Sequence, residues 1–288
     1  MSRIAYVNGR YVPHAQARVH IDDRGYQFGD GIYEVCAVRS GVMIDDDPHL
    51  DRLERSLREM RMTAPMSRAA LKVVMRETIR RNVVNDGIVY LQLTRGVAPR
   101  DHAFPKAPKT QVVVTARNAK PHPAAFVEDG VKAVTAPDIR WGRCDIKTIA
   151  LLPNCMAKQV AKENGAYEAI LVDEKGVVTE GSSSNAWIVT GDGKLVTRPA
   201  TNEILNGITR LAIIEIARRE GIVFEERAFT LDEMRRAREA FVTSASSFAM
   251  PVTQLDDAPI ANGKPGTIAL KLRAAYLQHM AAQAGAAA

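Results

Sequence analysis

The chain has 288 residues, 46% of them apolar and 25% charged, which is enough for one large or two ordinary domains with buried cores and excludes a disordered or fibrous polymer. Lys and Arg number 39 against 33 Asp and Glu, a net charge of +6. The two signs are interleaved, as in Asp51-Arg52-Leu53-Glu54-Arg55-Ser56-Leu57-Arg58-Glu59, so no basic face is drawn and no nucleic-acid partner is expected.

The chain is expected to open with a β-hairpin, because Ala5-Tyr6-Val7 and Arg10-Tyr11-Val12 flank Asn8-Gly9, the pair that best tolerates the two positive φ angles of a type I′ turn. A second hairpin is predicted from Ile32 to Val38 and Val42 to Ile44 through Ser40-Gly41. Leu50, Leu53, Leu57 and Met60 then recur at helical spacing from about Pro48, and another helix is expected from Ser67 to about Val84. Ile88 to Thr94 and Gln111 to Thr115 are β-branched, strand-like runs. Between Asn118 and Ala125 two prolines and the loss of any apolar period mark a domain boundary. Beyond it, strands at Val131 to Thr135, Glu168 to Val172, Ala186 to Val189 and Ala240 to Thr243 alternate with helices near Asn154 to Glu163, Ile208 to Arg219 and Ile268 to His279, and the Ala-rich C-terminus is expected to fray.

Cys36, Cys144 and Cys155 show no Cys-x-x-Cys spacing and read as reduced thiols of a cytoplasmic protein. The six histidines never stand at His-x-His or His-x-x-x-His spacing, so no metal site is expected. The first residues carry charge and a turn where a signal peptide needs an apolar run, and no stretch approaches a membrane span.

Four segments hold residues suited to chemistry. In Arg143-Cys144-Asp145-Ile146-Lys147-Thr148-Ile149-Ala150-Leu151-Leu152 a single lysine sits in an apolar run, where its charged form is disfavoured and its amine becomes a nucleophile or base; the alternative is a lysine snorkelling to water. Thr179-Glu180-Gly181-Ser182-Ser183-Ser184-Asn185 reads as a tight turn presenting a carboxylate and hydroxyls to a polar ligand, or as a plain serine-rich loop. Leu205-Asn206-Gly207-Ile208-Thr209-Arg210 turns into a helix whose first amides suit a phosphate, although many helices start this way without one. In the loop Thr94-Arg95-Gly96-Val97-Ala98-Pro99-Arg100-Asp101-His102, Arg100 and His102 suit a small carboxylate, or simply face water.

These segments, with Asp23-Arg24-Gly25-Tyr26-Gln27-Phe28-Gly29-Asp30-Gly31-Ile32-Tyr33-Glu34-Val35 and His49-Leu50-Asp51-Arg52-Leu53, follow one order along nearly the whole chain. In that order the chain resembles the D-amino acid transaminases, within the fold-type IV pyridoxal-phosphate enzymes that also include the branched-chain aminotransferases. The resemblance implies a two-domain α+β / α/β fold with pyridoxal 5′-phosphate between the domains, a small N-terminal α+β domain over 1–120 and a larger cofactor-binding domain over 121–288. It further implies that Lys147 holds the cofactor as a Schiff base and moves the proton between Cα and C4′. Glu180 would bond the pyridine nitrogen, keeping the ring protonated and thus an electron sink. Arg52 would bind the phosphate with the amides of Ile208 and Thr209, and Leu205 would pack on the ring; the other reading of Arg52 is a solvated helix face paired with Asp51 or Glu54. Tyr33, Arg100 and His102 match the family's carboxylate trap, whose last two members reach the neighbouring subunit's active site, so a homodimer is implied.

The Pro99-Arg100-Asp101-His102 stretch resembles the D-specific branch, which implies transfer of an amino group from a D-alanine-like donor to a 2-oxoglutarate-like acceptor. One departure is Ala245 in Val242-Thr243-Ser244-Ala245-Ser246-Ser247, where the family prototype has a phosphate-binding threonine; weaker cofactor retention follows unless Ser244 or Ser246 substitutes. The alternatives within the same fold are a branched-chain L-aminotransferase, an (R)-selective amine transaminase and an aminodeoxychorismate lyase. Outside it, the positive balance leaves a basic anion- or nucleic-acid-binding protein.

Overall fold

Asn8 and Gly9 take φ of +46° and +96°, the two left-handed positions that let a strand reverse in two residues. In the computed structural model, which describes residues 3–286, they join β1 (Ile4–Val7) to β2 (Arg10–Pro13), with Val7 opposite Arg10. Helix α1 (Arg24–Phe28) is short, capped at its start by the Asp23 carboxylate, which accepts from the Gly25 amide, and stopped by Gly29 at φ +67°. Five residues are too few to show a helical period, so the sequence does not reveal this helix. Strand β3 (Gly31–Arg39) turns through Ser40 and Gly41, both at positive φ, into β4 (Val42–Met43). Helices α2 (Asp46–Glu59) and α3 (Arg68–Arg81) follow, the latter capped by the Ser67 hydroxyl, and then β5 (Gly87–Thr94) and β6 (Gln111–Asn118).

These strands form one antiparallel sheet in the order β2-β1-β6-β5-β3-β4. Leu50, Leu53 and Leu57 of α2 and Leu71, Met75 and Ile79 of α3 share a core with Ile32, Cys36, Val89, Leu91 and Val114 of the sheet. Each such side chain withdrawn from water contributes roughly 1.5–3 kcal/mol.

The chain divides into two units. The first comprises Met1–Lys120 with Ile146–Leu151 and Met280–Ala288, and the second comprises Pro121–Asp145 with Leu152–His279. The lysine segment thus follows position 120 in sequence but packs with the first unit.

The second unit runs through α4 (Ala125–Glu128), β7 (Val131–Pro137), α5 (Leu152–Glu163), β8 (Glu168–Val172), β9 (Val178–Gly181), β10 (Asn185–Val189) and β11 (Leu195–Thr197). It continues with α6 (Ile208–Arg219), β12 (Phe224–Glu226), α7 (Leu231–Arg235), β13 (Glu239–Ser244), β14 (Phe248–Leu255), β15 (Ala258–Pro259) and α8 (Thr267–Ala286), of which the part to His279 belongs to this unit and the part from Met280 to the first. Its mixed sheet has the order β12-β11-β10-β13-β14-β7-β8-β9, with β15 beside β14. Val131, Ile170, Ile188, Val242 and Met250 from its strands form a core with Phe229 and Met234. The Ala-rich end expected to fray is helical to Ala286, as alanine's high helix propensity allows, and residues 287–288 lie outside the described ones.

Candidate active site

The segment around Lys147 lies along the start of β3. The Tyr33 amide donates to the Lys147 carbonyl at 2.9 Å, the Ile149 amide donates to the Gly31 carbonyl at 3.0 Å, and Ile32 bridges Thr148 in antiparallel fashion. This close approach needs glycine at 31, where a Cβ would stand 2.5 Å from the Leu93 carbonyl oxygen. The alternation of an extended segment buries Ile146 and Thr148 and leaves Lys147 half-buried, its Nζ 4.2 Å from the centre of the Tyr33 ring. Tyr33 in turn rests on Tyr90, with ring centroids 5.6 Å apart.

Arg52 does not lie on a solvated face with Asp51 or Glu54. Helix α2 turns it inward, where its guanidinium forks onto Glu34 at 2.8 Å (Nε to Oε1) and 2.7 Å (Nη2 to Oε2). His49, one turn earlier, stands 2.7 Å from the same carboxylate through Nδ1. Burial pushes the Glu34 carboxyl up, but Arg52 and His49 outweigh it and hold the group down at about 2. Burial pushes the His49 imidazole below its ordinary value, partly offset by Glu34. Glu34 is therefore an ionised anchor that fixes the direction of Arg52.

Arg100 and His102 lie exposed beyond the end of β5, and both rest on Phe28: the Arg100 guanidinium is 4.6 Å from the ring centre and the His102 ring 5.5 Å. They are brought together with each other and with α1.

In the second unit, Glu180 sits on β9, a strand rather than the expected turn. Parallel pairing sets Pro137 opposite Val172, and Val172 lies opposite Val178, so Asp138 and Arg140, just past β7, arrive beside Thr179 and Glu180. Arg140 donates to Glu180 Oε1, while Asn185 Nδ2 and the Leu205 amide donate to Oε2 at 2.9 and 3.2 Å. Arg140 is gripped by Asp138 through both carboxylate oxygens (2.9 and 2.7 Å) and donates to the Glu203 carbonyl at 3.2 Å; Asp138 also accepts from Thr179 Oγ1 at 2.6 Å. Burial pushes the Glu180 carboxyl up to about 7, with Arg140 and the Leu205 amide pulling it down and the Asp138 charge adding to the rise. A buried carboxylate poised near neutrality can accept a proton or a charged N–H at little cost.

Asn185 also donates to the Leu205 carbonyl at 2.8 Å, tying this strand end to the turn before α6. A Cβ on Gly207 would meet Asn185 Oδ1 at 2.2 Å. Gly207 is the N-cap of α6 and provides no side-chain cap, so the amides of Ile208 and Thr209 have no acceptor within the helix. That is the geometry an anionic group exploits.

The serine hydroxyls are not offered to a ligand. Ser182, Ser183 and Ser184 all donate to the buried Glu168 carboxylate, the last two at 3.2 and 2.8 Å, and Lys158 reaches it at 3.3 Å. The serines thus build the turn that leads Glu180 into Asn185. Ala245 lies in the turn between β13 and β14, where Ser244 Oγ accepts from the Ser247 amide at 3.2 Å and lies 2.6 Å from its hydroxyl.

Sequence reasoning misses Arg140, Asp138, Glu34 and Glu168. Asp138-Ile139-Arg140 carries an acid and a base two positions apart, a weak signal that gains meaning only once β9 lies beside it.

Residues 31–255 match the family description Amino-transferase class IV. The chain is 42% identical over 268 residues to a D-alanine aminotransferase of Bacillus licheniformis, covering 93% of this chain and 94% of that protein. It is 41% identical to a D-alanine aminotransferase of Staphylococcus aureus (strain MSSA476), over 96% and 97% of the two chains. Among solved structures, a T.th. branched-chain amino acid aminotransferase with pyridoxamine 5′-phosphate superposes with a TM-score of 0.90 at 25% identity, over 98% of this chain and 95% of that one. Mixed α/β architecture with two sheets, the solved fold and the family match agree: this chain is a fold-type IV protein and belongs to the class IV aminotransferases.

Proposed function

We propose that this chain is a pyridoxal-phosphate-dependent D-amino acid transaminase that moves the amino group of D-alanine, or a close analogue, to a 2-oxoglutarate-like acceptor. Full-length similarity to D-alanine aminotransferases supports the donor. The observation that carries the cofactor is Glu180, a buried carboxylate held by Arg140, Asn185 and the Leu205 amide. A proton-bearing ring nitrogen suits that carboxylate, and the uncapped start of α6 suits a phosphate.

In this reading Lys147 would bond the carbonyl carbon of the cofactor, Glu180 would serve its ring nitrogen, Leu205 would pack on the ring, and Ile208 and Thr209 with Arg52 would hold its phosphate. When bound, pyridoxal phosphate supplies a ring that takes up the electron pair left as the Cα proton departs. Lys147 Nζ, freed when the substrate amine takes its place, would be the base that accepts the Cα proton and holds it for return on the same side of the site. Ionised Glu34 neither donates nor withdraws a proton here, but keeps the Arg52 guanidinium oriented. Tyr33, Arg100 and His102 hold the substrate carboxylate, and fixing that group on one side decides which hand of amino acid points its Cα hydrogen at Lys147.

We further place the protein in the cytoplasm, where three free thiols persist, as a homodimer in which Arg100 and His102 of one copy complete the site of the other. Their exposure in the loop between β5 and β6 supports this. Lys147→Ala is expected to abolish transamination while leaving the circular-dichroism melting curve unchanged, and borohydride reduction of the native holoenzyme should leave a phosphopyridoxyl mass on the Lys147 peptide. Turnover retained by the variant, or the label on another lysine, would overturn the proposal.

A further inference from the structure

Arg24 is a buried arginine on a five-residue helix. Its Nε donates to Asp30 Oδ2 at 2.7 Å, and Arg95 Nε donates to the same oxygen at 2.7 Å. The outer nitrogens of Arg24 reach three successive carbonyls of the loop beyond β5: Nη1 donates to Asp101 at 2.5 Å and Ala103 at 3.3 Å, and Nη2 to His102 at 3.3 Å. The loop has no regular secondary structure at these positions. Arg24 also lies over Phe28, 4.8 Å from its centre, and Phe28 is the ring on which Arg100 and His102 rest. Farther along, Phe104 covers the Arg95 guanidinium at 3.6 Å, and Arg95 donates to the Met60 and Arg61 carbonyls.

We infer that Arg24, locked by Asp30, is a positioning residue for substrate specificity: it grips the backbone of residues 101–103 and, through Phe28, sets the direction in which Arg100 and His102 are presented. The inference rests on the reading of those two side chains as the carboxylate-binding pair. A planar guanidinium can serve Asp30 with one edge and several carbonyls with the other, whereas a lysine ammonium at the same place can satisfy only part of that set. A loop without its own ladder of hydrogen bonds depends on such a clamp to keep one conformation.

Three variants of the holoenzyme separate the possibilities: Arg24→Lys, Phe28→Leu and Arg100→Ala, each followed by amide hydrogen exchange and by kinetics with D-alanine. Arg24→Lys keeps the charge beside Asp30, and Phe28→Leu alters only a half-buried ring, so a folding failure of one leaves the other informative. In both, exchange over residues 100–104 should accelerate and KM for D-alanine should rise about tenfold with kcat changed by less than about threefold. Exchange unchanged in both variants would overturn the clamp. If Arg100→Ala raises KM while Arg24→Lys and Phe28→Leu do not, the positioning role is wrong and the carboxylate pair stands. If Arg100→Ala itself leaves KM unchanged, the reading of the pair falls, and this inference with it.

Discussion

At Glu180 two opposing effects meet, and their balance has a sign that can be measured. Burial raises the carboxyl from an ordinary 4.5 to about 7, and Arg140 is the strongest influence keeping it from rising further. A group whose folded pKa exceeds its unfolded value adds stability that is complete below about 4.5 and is lost as pH rises through about 7. In the cofactor-free protein this contribution therefore declines between those limits and levels off above. Arg140→Met removes the charge and the donor that hold Glu180 down, and frees Asp138 from the same restraint, so the decline should continue well above pH 7. The lost buried pair should cost about 3–5 kcal/mol at neutral pH. Urea denaturation of the cofactor-free proteins from pH 5 to 9 checks this, and parallel profiles for the two proteins would refute it. Glu34 behaves in the opposite sense: held at about 2, its contribution is present above its ordinary 4.5 and is lost only as pH falls toward 2.

Among the elements, the turn between β13 and β14 holds Ala245, where the resemblance implies a phosphate-binding threonine. Ala245 presents no hydroxyl, and Ser244 is already engaged with Ser247 inside the turn. Ala245→Thr should therefore add a hydrogen bond to the cofactor phosphate worth about 1–2 kcal/mol, or roughly tenfold in retention. Absorbance remaining after prolonged dialysis reads this directly, and equal loss from both proteins would contradict it. Elements whose cause is local are legible in the sequence. The Asn8-Gly9 and Ser40-Gly41 reversals follow from residues that tolerate positive φ, and α2 and α3 from apolar spacing. Strands β11 and β12 are not, since three residues show no alternation and Phe224-Glu225-Glu226 is placed by tertiary contacts: pairing with β11, the Trp187 ring beside Phe224 and Arg210 on Glu226.

Over the chain as a whole, residue chemistry points to Lys147 and Glu180, but what surrounds them depends on register. Arg140 meets Glu180 across 40 positions only because β7, β8 and β9 pair as they do. Likewise nothing in Ile146-Lys147-Thr148-Ile149 reveals that it will lie along Gly31, 117 positions before Thr148. Arg24 shows the same limit: its motif carries the resemblance, yet its grip on a loop 77 positions away is a tertiary fact. A D-amino acid donor is put to the test by the visible absorbance of the holoenzyme during titration with D-alanine, and separately with L-leucine and (R)-1-phenylethylamine, each without an oxo-acid acceptor. D-alanine alone should convert the cofactor band to that of the amino form. Conversion by L-leucine or the amine, with D-alanine inert, would contradict it.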